Sequence, residues 1–249
     1  EMVIRDWSSD VCSSDLAKIT LLNVMQRGVN ENAISDLLKL MKSNDSILSL
    51  TVQTMTYTGQ GGGSITDRRH IPVDEAARII ASQSNGEIRF DDFFSRPSAH
   101  PLCYQICYIL KSGDAFLPFT RFADNRQLSK MMEESYLLRL DNEEDFFRNV
   151  VNDLYSQNET KHLKAFRHLI DSLYPHNSGY TQFERQKRAE PFVRTIYVHS
   201  HMDETNFDAT RAMLCPDLVP SEPGRLIPAC AYNLFYRMKD SRFFKGDKP

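Results

Sequence analysis

Four cysteines are the residues of this sequence with the most specific chemistry. They are Cys103, Cys107, Cys215 and Cys230. Four thiolates are the ligand set of a structural zinc ion or of a [4Fe–4S] cluster. The spacing matches no compact CxxC finger. Residues 103 and 107 on one strand would lie about 13 Å apart, too far for one small cluster unless Cys103 precedes the strand. The alternative is four buried thiols that only pack.

A His-x-His pair is the second candidate. His199 and His201 end a predicted strand and are followed by Asp203. Side chains two residues apart on a strand share a face, so both imidazoles could bind one metal ion. The pattern resembles amidohydrolase metal sites, and the alternative is half-exposed histidines bonded to carboxylates. Gly59–Gly63 lacks the Lys-Ser/Thr of a P-loop and is interpreted as a flexible turn.

The hydrophobic pattern predicts an α/β chain. Apolar runs at Lys18–Met25 and Ser46–Met55 have strand length, and Ile34–Met41 between them has helical spacing, which predicts a parallel βαβ unit. The other predicted elements are helices over 72–84, 125–139, 142–156, 159–173 and 208–214, strands over 103–110, 116–122 and 194–199, and an extended segment from residue 225.

Residues 1–16 differ from the rest of the chain. They contain Ser-Ser-Asp twice and have neither a helical nor a strand period. They resemble a translated sequencing adapter, so we interpret them as a non-native tail and exclude Cys12 and Trp7 from the functional candidates. A disordered native tail is the alternative. On the first interpretation, the native sequence begins near Ala17, within a domain.

Composition restricts the class of protein. The 249 residues are 41% hydrophobic and 25% charged, with a formal net charge of −3, which is typical of a globular chain. This balance indicates no nucleic-acid or membrane-surface partner. No apolar run approaches the roughly 20 residues of a transmembrane helix. Five cysteines are too few for a secreted disulfide scaffold, which favours a cytoplasmic protein.

Several segments, in order, resemble the radical S-adenosylmethionine (SAM) enzymes. Residues 21–31 and 52–59 resemble the fifth and sixth strands of the radical SAM barrel. The later segments resemble the tetraether-lipid-synthase-like group, which includes pterin C-methylating relatives; these segments are 97–108 (Pro-Ser-Ala-His-Pro-Leu-Cys-Tyr-Gln-Ile-Cys-Tyr), 201–208, Cys215 and 226–233.

The resemblance implies the fold and the cofactors. Residues 17–90 would form the last βαβ of a partial (β/α)6 barrel, and residues 91–249 a mostly helical α+β auxiliary iron–sulfur domain. SAM, a radical-generating [4Fe–4S] cluster and auxiliary clusters are implied. A 5′-deoxyadenosyl radical would abstract hydrogen from an unactivated carbon of a lipid or small molecule, for C–C bond formation or methylation. Ferredoxin or flavodoxin would supply electrons.

The resemblance also assigns residues. Cys103, Cys215 and Cys230 become candidate auxiliary-cluster ligands, and Cys107 is a weaker candidate. The four residues at strand ends of the kind that face SAM are Gln26, Arg27, Gln53 and Thr54; the alternative is that they are ordinary polar strand-end residues.

Two departures qualify the resemblance. The CxxxCxxC motif that binds the radical-generating cluster is absent, and in the family it lies upstream of every segment matched here. The chain is therefore expected to be a C-terminal half that is inactive alone. Ser98 stands where the group often has Cys, so one cluster is lost or bound differently. The rival functions are a zinc-binding structural module and a metal-dependent hydrolase that uses His199, His201 and Asp203.

Overall fold

A mixed six-stranded sheet forms the centre of the protein. The computed structural model describes residues 18–58, 65–131, 144–175, 179–221 and 224–242. The strands are β1 (Ile19–Met25), β2 (Ile47–Thr54), β3 (Phe94–Ser95), β4 (Tyr104–Ser112), β5 (Ala115–Pro118) and β6 (Val193–Ser200). Their order is β1-β2-β6-β4-β3, and β5 pairs with β4. β7 (Leu218–Pro220) and β8 (Leu226–Pro228) form a separate antiparallel pair.

The helices surround this sheet. They are α1 (Ile34–Ser43), α2 (Val73–Gln83), α3 (Asn125–Met131), α4 (Glu144–Ser156), α5 (Thr160–Leu173), α6 (Gln182–Ala189), α7 (Ala209–Met213) and α8 (Ala229–Ala231). The described residues also include short 3-10 turns and a π-helical segment, Tyr232–Tyr236.

The predicted βαβ unit is confirmed. β1 and β2 pair in parallel, and α1 connects them. The buried residues of α1 are Ile34, Leu38 and Met41, which join Leu50 and Val52 of β2 in one apolar cluster. The helical spacing in α1 and the strand alternation in β2 therefore bury one face of each element in the same core.

The parallel pairing of β2 with β6 joins the two halves of the chain. Thr51 pairs with Tyr197 and Gln53 with His199. β4 then runs antiparallel to β6, so the start of β4 lies beside the end of β6. Strands from both sides of residue 90 thus belong to one sheet. The boundary expected between residues 90 and 91 stays a prediction.

The two faces of the sheet have separate cores. α1 and α2 cover one face, where Cys107 and Ile109 of β4 meet Ile196 and Val198 of β6. On the other face, α4 and α5 pack against alternate β4 residues, including Ile106 and Tyr108. Towards β1 this second face is open. Leu22, at 67% exposure, and Val24 project from a strand whose outer edge has no partner among the described residues.

Some predicted elements differ from the structure. The strand predicted over 116–122 ends at Pro118, because proline has no N–H for the ladder, and Phe119–Arg121 is a 3-10 turn. The extended segment from residue 225 is wrong beyond Pro228, where helical turns begin. Most of the second half of the predicted 125–139 helix lies outside the described residues, as do Gly59–Gly63 and the tail.

Within the described ranges, no helix combines the length and apolar character needed to span a bilayer.

A buried carboxylate fixes the segment that leads to β3. Asp92 is 2% exposed and accepts hydrogen bonds from Arg121 Nη2 at 2.8 Å and from Arg89 N at 2.7 Å. Thr120 Oγ1 donates to its other oxygen. The contact ties the 3-10 turn after β5 to the 3-10 turn before β3.

We therefore expect Asp92→Asn to lower the free energy of unfolding by about 2–3 kcal/mol, because it leaves Arg121 without its charged partner. Urea denaturation measures the effect. The matched control is Asp91→Asn at the exposed neighbouring position, which should cost under about 0.5 kcal/mol. Equal losses for the two variants would contradict the role of Asp92.

Candidate functional site

The carboxyl ends of three parallel strands meet at one edge of the sheet. β1, β2 and β6 all end there, and antiparallel β4 begins there with Tyr104. In open α/β sheets, ligands bind at this edge, beyond the carboxyl ends of the strands. Val24, Gln53, His199 and Tyr104 are successive register partners across the four strands. Register partners project from the same face, so this row lines one side of the edge.

Three of the four predicted cysteines lie in segments that contact this edge of the sheet or its neighbouring residues. Burial raises the pKa of the Cys230 thiol, and negative charge on Cys215 and Cys103 would raise it further. Cys103 and Cys230 are buried, and Cys215 is half-buried. They come from three separate segments, before β4, after α7 and after β8, which is why local spacing gave so weak a signal.

Local structure holds each cysteine in place. Cys103 precedes β4, and its carbonyl accepts a 2.9 Å hydrogen bond from Ser200 N at the end of β6. Cys215 follows α7, and its Sγ donates to the Asp217 carbonyl at 3.3 Å. Cys230 lies in the single helical turn α8, and its Sγ accepts a hydrogen bond from Met202 N at 3.2 Å. Cys103 and Cys230 are thus held by the end of β6 and the residues just after it, whereas Cys215 is held by Asp217.

Cys107 lies elsewhere. It is fully buried in the core beneath α1 and α2, on the opposite face of β4 from Tyr104. Burial, with a smaller effect from Asp92, raises the pKa of its thiol. Its surroundings are those of a packing thiol, and the structure does not bring it to the other three cysteines. Ser98 is exposed.

The two histidines are packed beside the cysteines. The His199 ring stacks on the Tyr104 ring, with centroids 4.1 Å apart. The centroid of the His201 ring lies 4.0 Å from that of the His199 ring. Burial, with a smaller contribution from His201, lowers the pKa of His199 to about 3. Burial also lowers the pKa of His201. Both imidazoles are therefore neutral at pH 7, the form that binds metals or donates a single N–H.

Asp217 fixes the outer side of the histidine pair. Its carboxylate accepts the Tyr104 hydroxyl hydrogen bond and lies 3.6 Å from His199 Nε2. Burial, with the bond to Asp217, raises the pKa of Tyr104. Tyr104 therefore stays a neutral donor. His201 Nδ1 lies 3.4 Å from Cys230 Sγ, so the histidine pair reaches from Asp217 to the cysteines.

Arg211 was not predicted from the sequence. It is 8% exposed, and its Nε donates to Cys103 Sγ at 3.4 Å. Its Nη2 donates to the carbonyls of Leu102 and Ser200, at 3.1 and 3.4 Å. Asp208 caps the first turn of α7 by accepting from backbone N–H groups, which orients the helix that contains Arg211. No sequence signal distinguishes a buried arginine from a solvated one.

Asp203 makes its contacts with residues other than His199 and His201. It is fully buried, and it accepts hydrogen bonds from Tyr57 N (3.1 Å), Thr205 N (2.9 Å) and Thr205 Oγ1 (2.6 Å). His70 Nε2 lies 3.4 Å from its second oxygen. Burial favours a higher pKa, but these hydrogen bonds and His70 outweigh it, so the pKa of Asp203 is lowered. Through its hydrogen bond with Tyr57, Asp203 connects the loop after β6 to the loop after β2.

The four residues predicted to face SAM lie at the same edge of the sheet, but they differ in burial and in the contacts that they make. Gln53 shares the face of His199, whereas Thr54 is buried. Gln26 N donates to Asn30 Oδ1 in the turn after β1. Arg27 Nη2 donates to Glu75 Oε2 at 2.7 Å, which ties the end of β1 to α2.

No three His, Cys, Asp or Glu side chains in the described ranges come close enough to share one ion. A [4Fe–4S] cluster differs, because each cysteine binds its own iron and the sulfurs stand farther apart. Whether the three thiols bind such a cluster is therefore a matter for the proposal below.

We expect Asp203→Asn to destabilise the protein by about 2–3 kcal/mol at pH 7, because an amide cannot accept all of these hydrogen bonds. The folded state lowers the pKa of Asp203, so its stabilisation is present above the ordinary value near 4 and is lost as pH falls through the folded-state value. Denaturation at pH 7 and pH 3 measures the difference, which should shrink at pH 3. Glu204→Gln, at an exposed ion pair with Arg68, is the control and should cost under about 1 kcal/mol. A pH-independent loss would contradict the role of the carboxylate.

The chain has one informative similarity to a curated protein. No protein-family model matches it. It is 21% identical, over an alignment of 252 residues, to the 7,8-dihydro-6-hydroxymethylpterin dimethyltransferase of Methanocaldococcus jannaschii. The alignment covers 89% of this chain and 49% of that protein, so the chain spans about half the length of the curated relative that it matches. By its name the relative is an enzyme that methylates a pterin, and this distant similarity is compatible with a radical SAM-like relation.

Proposed function

We propose that this chain is the C-terminal half of a radical SAM enzyme that methylates a small molecule. In this proposal, Cys103, Cys215 and Cys230 hold an auxiliary [4Fe–4S] cluster. The observation that supports the proposal is that all three segments are held near the carboxyl edge of β1, β2 and β6: Cys103 contacts Ser200, Cys230 contacts Met202, and Cys215 contacts Asp217. Three distant segments have to fold together to produce it.

Strand pairing supports the barrel part of the proposal. Three parallel strands with α1 and α2 on one face have the layering of a (β/α) barrel wall, with helices outside. The opposite face of β1 exposes Leu22 and Val24, and its outer edge is unpaired within the described residues. A preceding barrel strand would pair with that edge and cover those side chains. The relative's twofold greater length leaves room for such strands.

The auxiliary cluster would be anchored by the three cysteines. Bound there, it would supply one-electron redox chemistry and an anionic, partly buried surface beside the substrate. The chain's own groups surround that position with donors, namely Met202 N–H at Cys230 and the Arg211 guanidinium at Cys103. Hydrogen bonds to cysteine sulfurs are one of the means by which proteins tune such clusters.

The SAM site would use the same edge. Gln53 is the best placed of the four candidates, because it lies between Val24 and His199 on the partly open face. Gln26 and Arg27 would contribute from the turn after β1. Thr54 is buried and would shape the site from behind. The radical-generating cluster itself would be bound by a segment upstream of the matched motifs.

The proposed substrate class follows from the name of the relative, which is a pterin dimethyltransferase. A methylated pterin is a small planar heterocycle, and we propose a small molecule of that class in preference to a lipid. Methylation is likewise favoured over coupling of two carbons. A ferredoxin or flavodoxin as reductant, and a cytoplasmic location, remain predictions from the resemblance.

The contacts of Asp203 do not support the metal-dependent hydrolase alternative, which needs its carboxylate beside His199 and His201. Asp203 is engaged by Tyr57, Thr205 and His70 instead of facing His199 and His201. Metal analysis after reconstitution distinguishes the zinc-binding structural module from the iron–sulfur proposal.

The test is anaerobic reconstitution of the 249-residue chain with iron and sulfide, followed by measurement of iron, sulfide and zinc. We expect about four irons and four sulfides per chain. Cys230→Ala, and equally Cys103→Ala or Cys215→Ala, should remove most of the iron, because each deletes one thiolate ligand.

Cys107→Ala is the matched control. It deletes a thiol from the apolar core, so it should lower stability by about 1 kcal/mol and leave the iron content unchanged. One tight zinc and no iron would favour the structural module. Retention of iron by all three ligand variants would contradict the proposed site.

A further inference from the structure

Three polar side chains of β2 line the sheet face that bears His199. Ser49, Thr51 and Gln53 alternate along the strand and are half-buried, while the residues between them are buried beneath α1 and α2. A sheet face that packs against another layer is normally apolar, and a polar face normally meets water or a ligand. Within the described residues, the Gln53 side chain makes no hydrogen bond, so its amide is available to a ligand.

Asp217 places a carboxylate at the other end of the row. Its Oδ2 accepts the Tyr104 hydroxyl hydrogen bond and lies 3.6 Å from His199 Nε2. Its carbonyl oxygen accepts hydrogen bonds from Cys215 Sγ at 3.3 Å and Ala229 N at 2.9 Å, so the backbone beneath the carboxylate is held from two sides. In the described part of the chain, Oδ1 accepts no hydrogen bond, and the side chain is 32% exposed.

These groups define the ligand that the row can recognise. A carboxylate only accepts hydrogen bonds, and it pairs best with two parallel N–H donors. One donor would face Oδ1 of Asp217, and the other would share Oδ2 with Tyr104. Two adjacent N–H donors on a flat ring are the hallmark of an aminopyrimidinone. Gln53 lies two strands away from Tyr104, at about 10 Å, where it would meet a second, fused ring.

We infer that Asp217 selects a bicyclic heterocyclic substrate by pairing with its aminopyrimidinone edge, while Gln53 binds the fused ring. The inference rests on the proposed function, because it supplies the recognition chemistry for the small planar molecule proposed above. Tyr104 is a positioning residue, since its hydroxyl group acts by holding Asp217.

The experiment measures equilibrium binding of pterin and of lumazine to the full chain by fluorescence titration. The two probes are matched, because lumazine has a carbonyl oxygen where pterin has the amino group. Asp217→Asn, Tyr104→Phe and Gln53→Ala are compared with wild type, and the melting temperature of each is recorded. Asp67→Asn is the matched control, because Asp67 is exposed and pairs with Arg69. Iron and sulfide are measured on the same preparations after anaerobic reconstitution.

We expect the wild-type chain to bind pterin about tenfold more tightly than lumazine, because the carboxylate meets two N–H donors in pterin and a repelling oxygen in lumazine. Asp217→Asn should abolish this preference and leave lumazine affinity unchanged or higher, since an amide N–H can donate to that oxygen. Retained lumazine binding also shows that the variant is folded. Asp67→Asn should match wild type.

Two further variants separate the roles within the row. Tyr104→Phe keeps the aromatic ring but releases Asp217, so it should reduce the preference for pterin only in part. It also tests the carboxylate if Asp217→Asn does not fold. Gln53→Ala should weaken both probes by similar factors and keep the preference, because its contact is with the ring that the probes share.

Other outcomes overturn the inference. They are equal wild-type affinities for the two probes, no binding of either probe, or a preference for pterin that survives both Asp217→Asn and Tyr104→Phe. Iron analysis separates this failure from that of the proposed function. A chain that loads iron and sulfide but shows no preference overturns the inference alone. A chain that prefers pterin but takes up no iron overturns the proposed cluster and supports the role of Asp217.

Discussion

The parallel pairing of β2 with β6 is the constraint on which the rest of the structure depends. Gln53 and His199 are register partners across that pair, and Tyr104 follows on β4. A shift of one residue would turn His199 to the opposite face of the sheet. It would also move the β6 end that holds Cys103 through Ser200 and Cys230 through Met202. The register therefore fixes both the row of polar side chains and the cysteines beside it.

Electrostatics at this edge follow from burial. The two histidines are neutral because desolvation lowers the pKa of each. Tyr104 stays protonated and donates to Asp217. Arg211 remains as a buried positive charge among thiols. The Arg211 cation beside the Cys103 thiol is suited to a group that carries negative charge.

Sequence reasoning found the local features and missed the long-range ones. Apolar spacing predicted α1, α5 and the βαβ unit, because each buries a face whose period is visible in the sequence. It also allowed that Cys103 precedes β4, as it does. The pairing of β6 with β2 spans more than 130 residues, and no local pattern encodes it. The separation of Cys107 from the other thiols follows from strand alternation, which required the true start of β4. Arg211 could not be found, since its burial depends on contacts with Leu102 and Ser200 from another part of the chain.

Diffraction at the iron absorption edge, from crystals of the reconstituted protein, would locate any bound cluster. We expect a strong anomalous peak bounded by the sulfurs of Cys103, Cys215 and Cys230, with the Arg211 guanidinium beside it. An iron peak at another place, or a fully loaded protein in which these three sulfurs contact no iron, would contradict it.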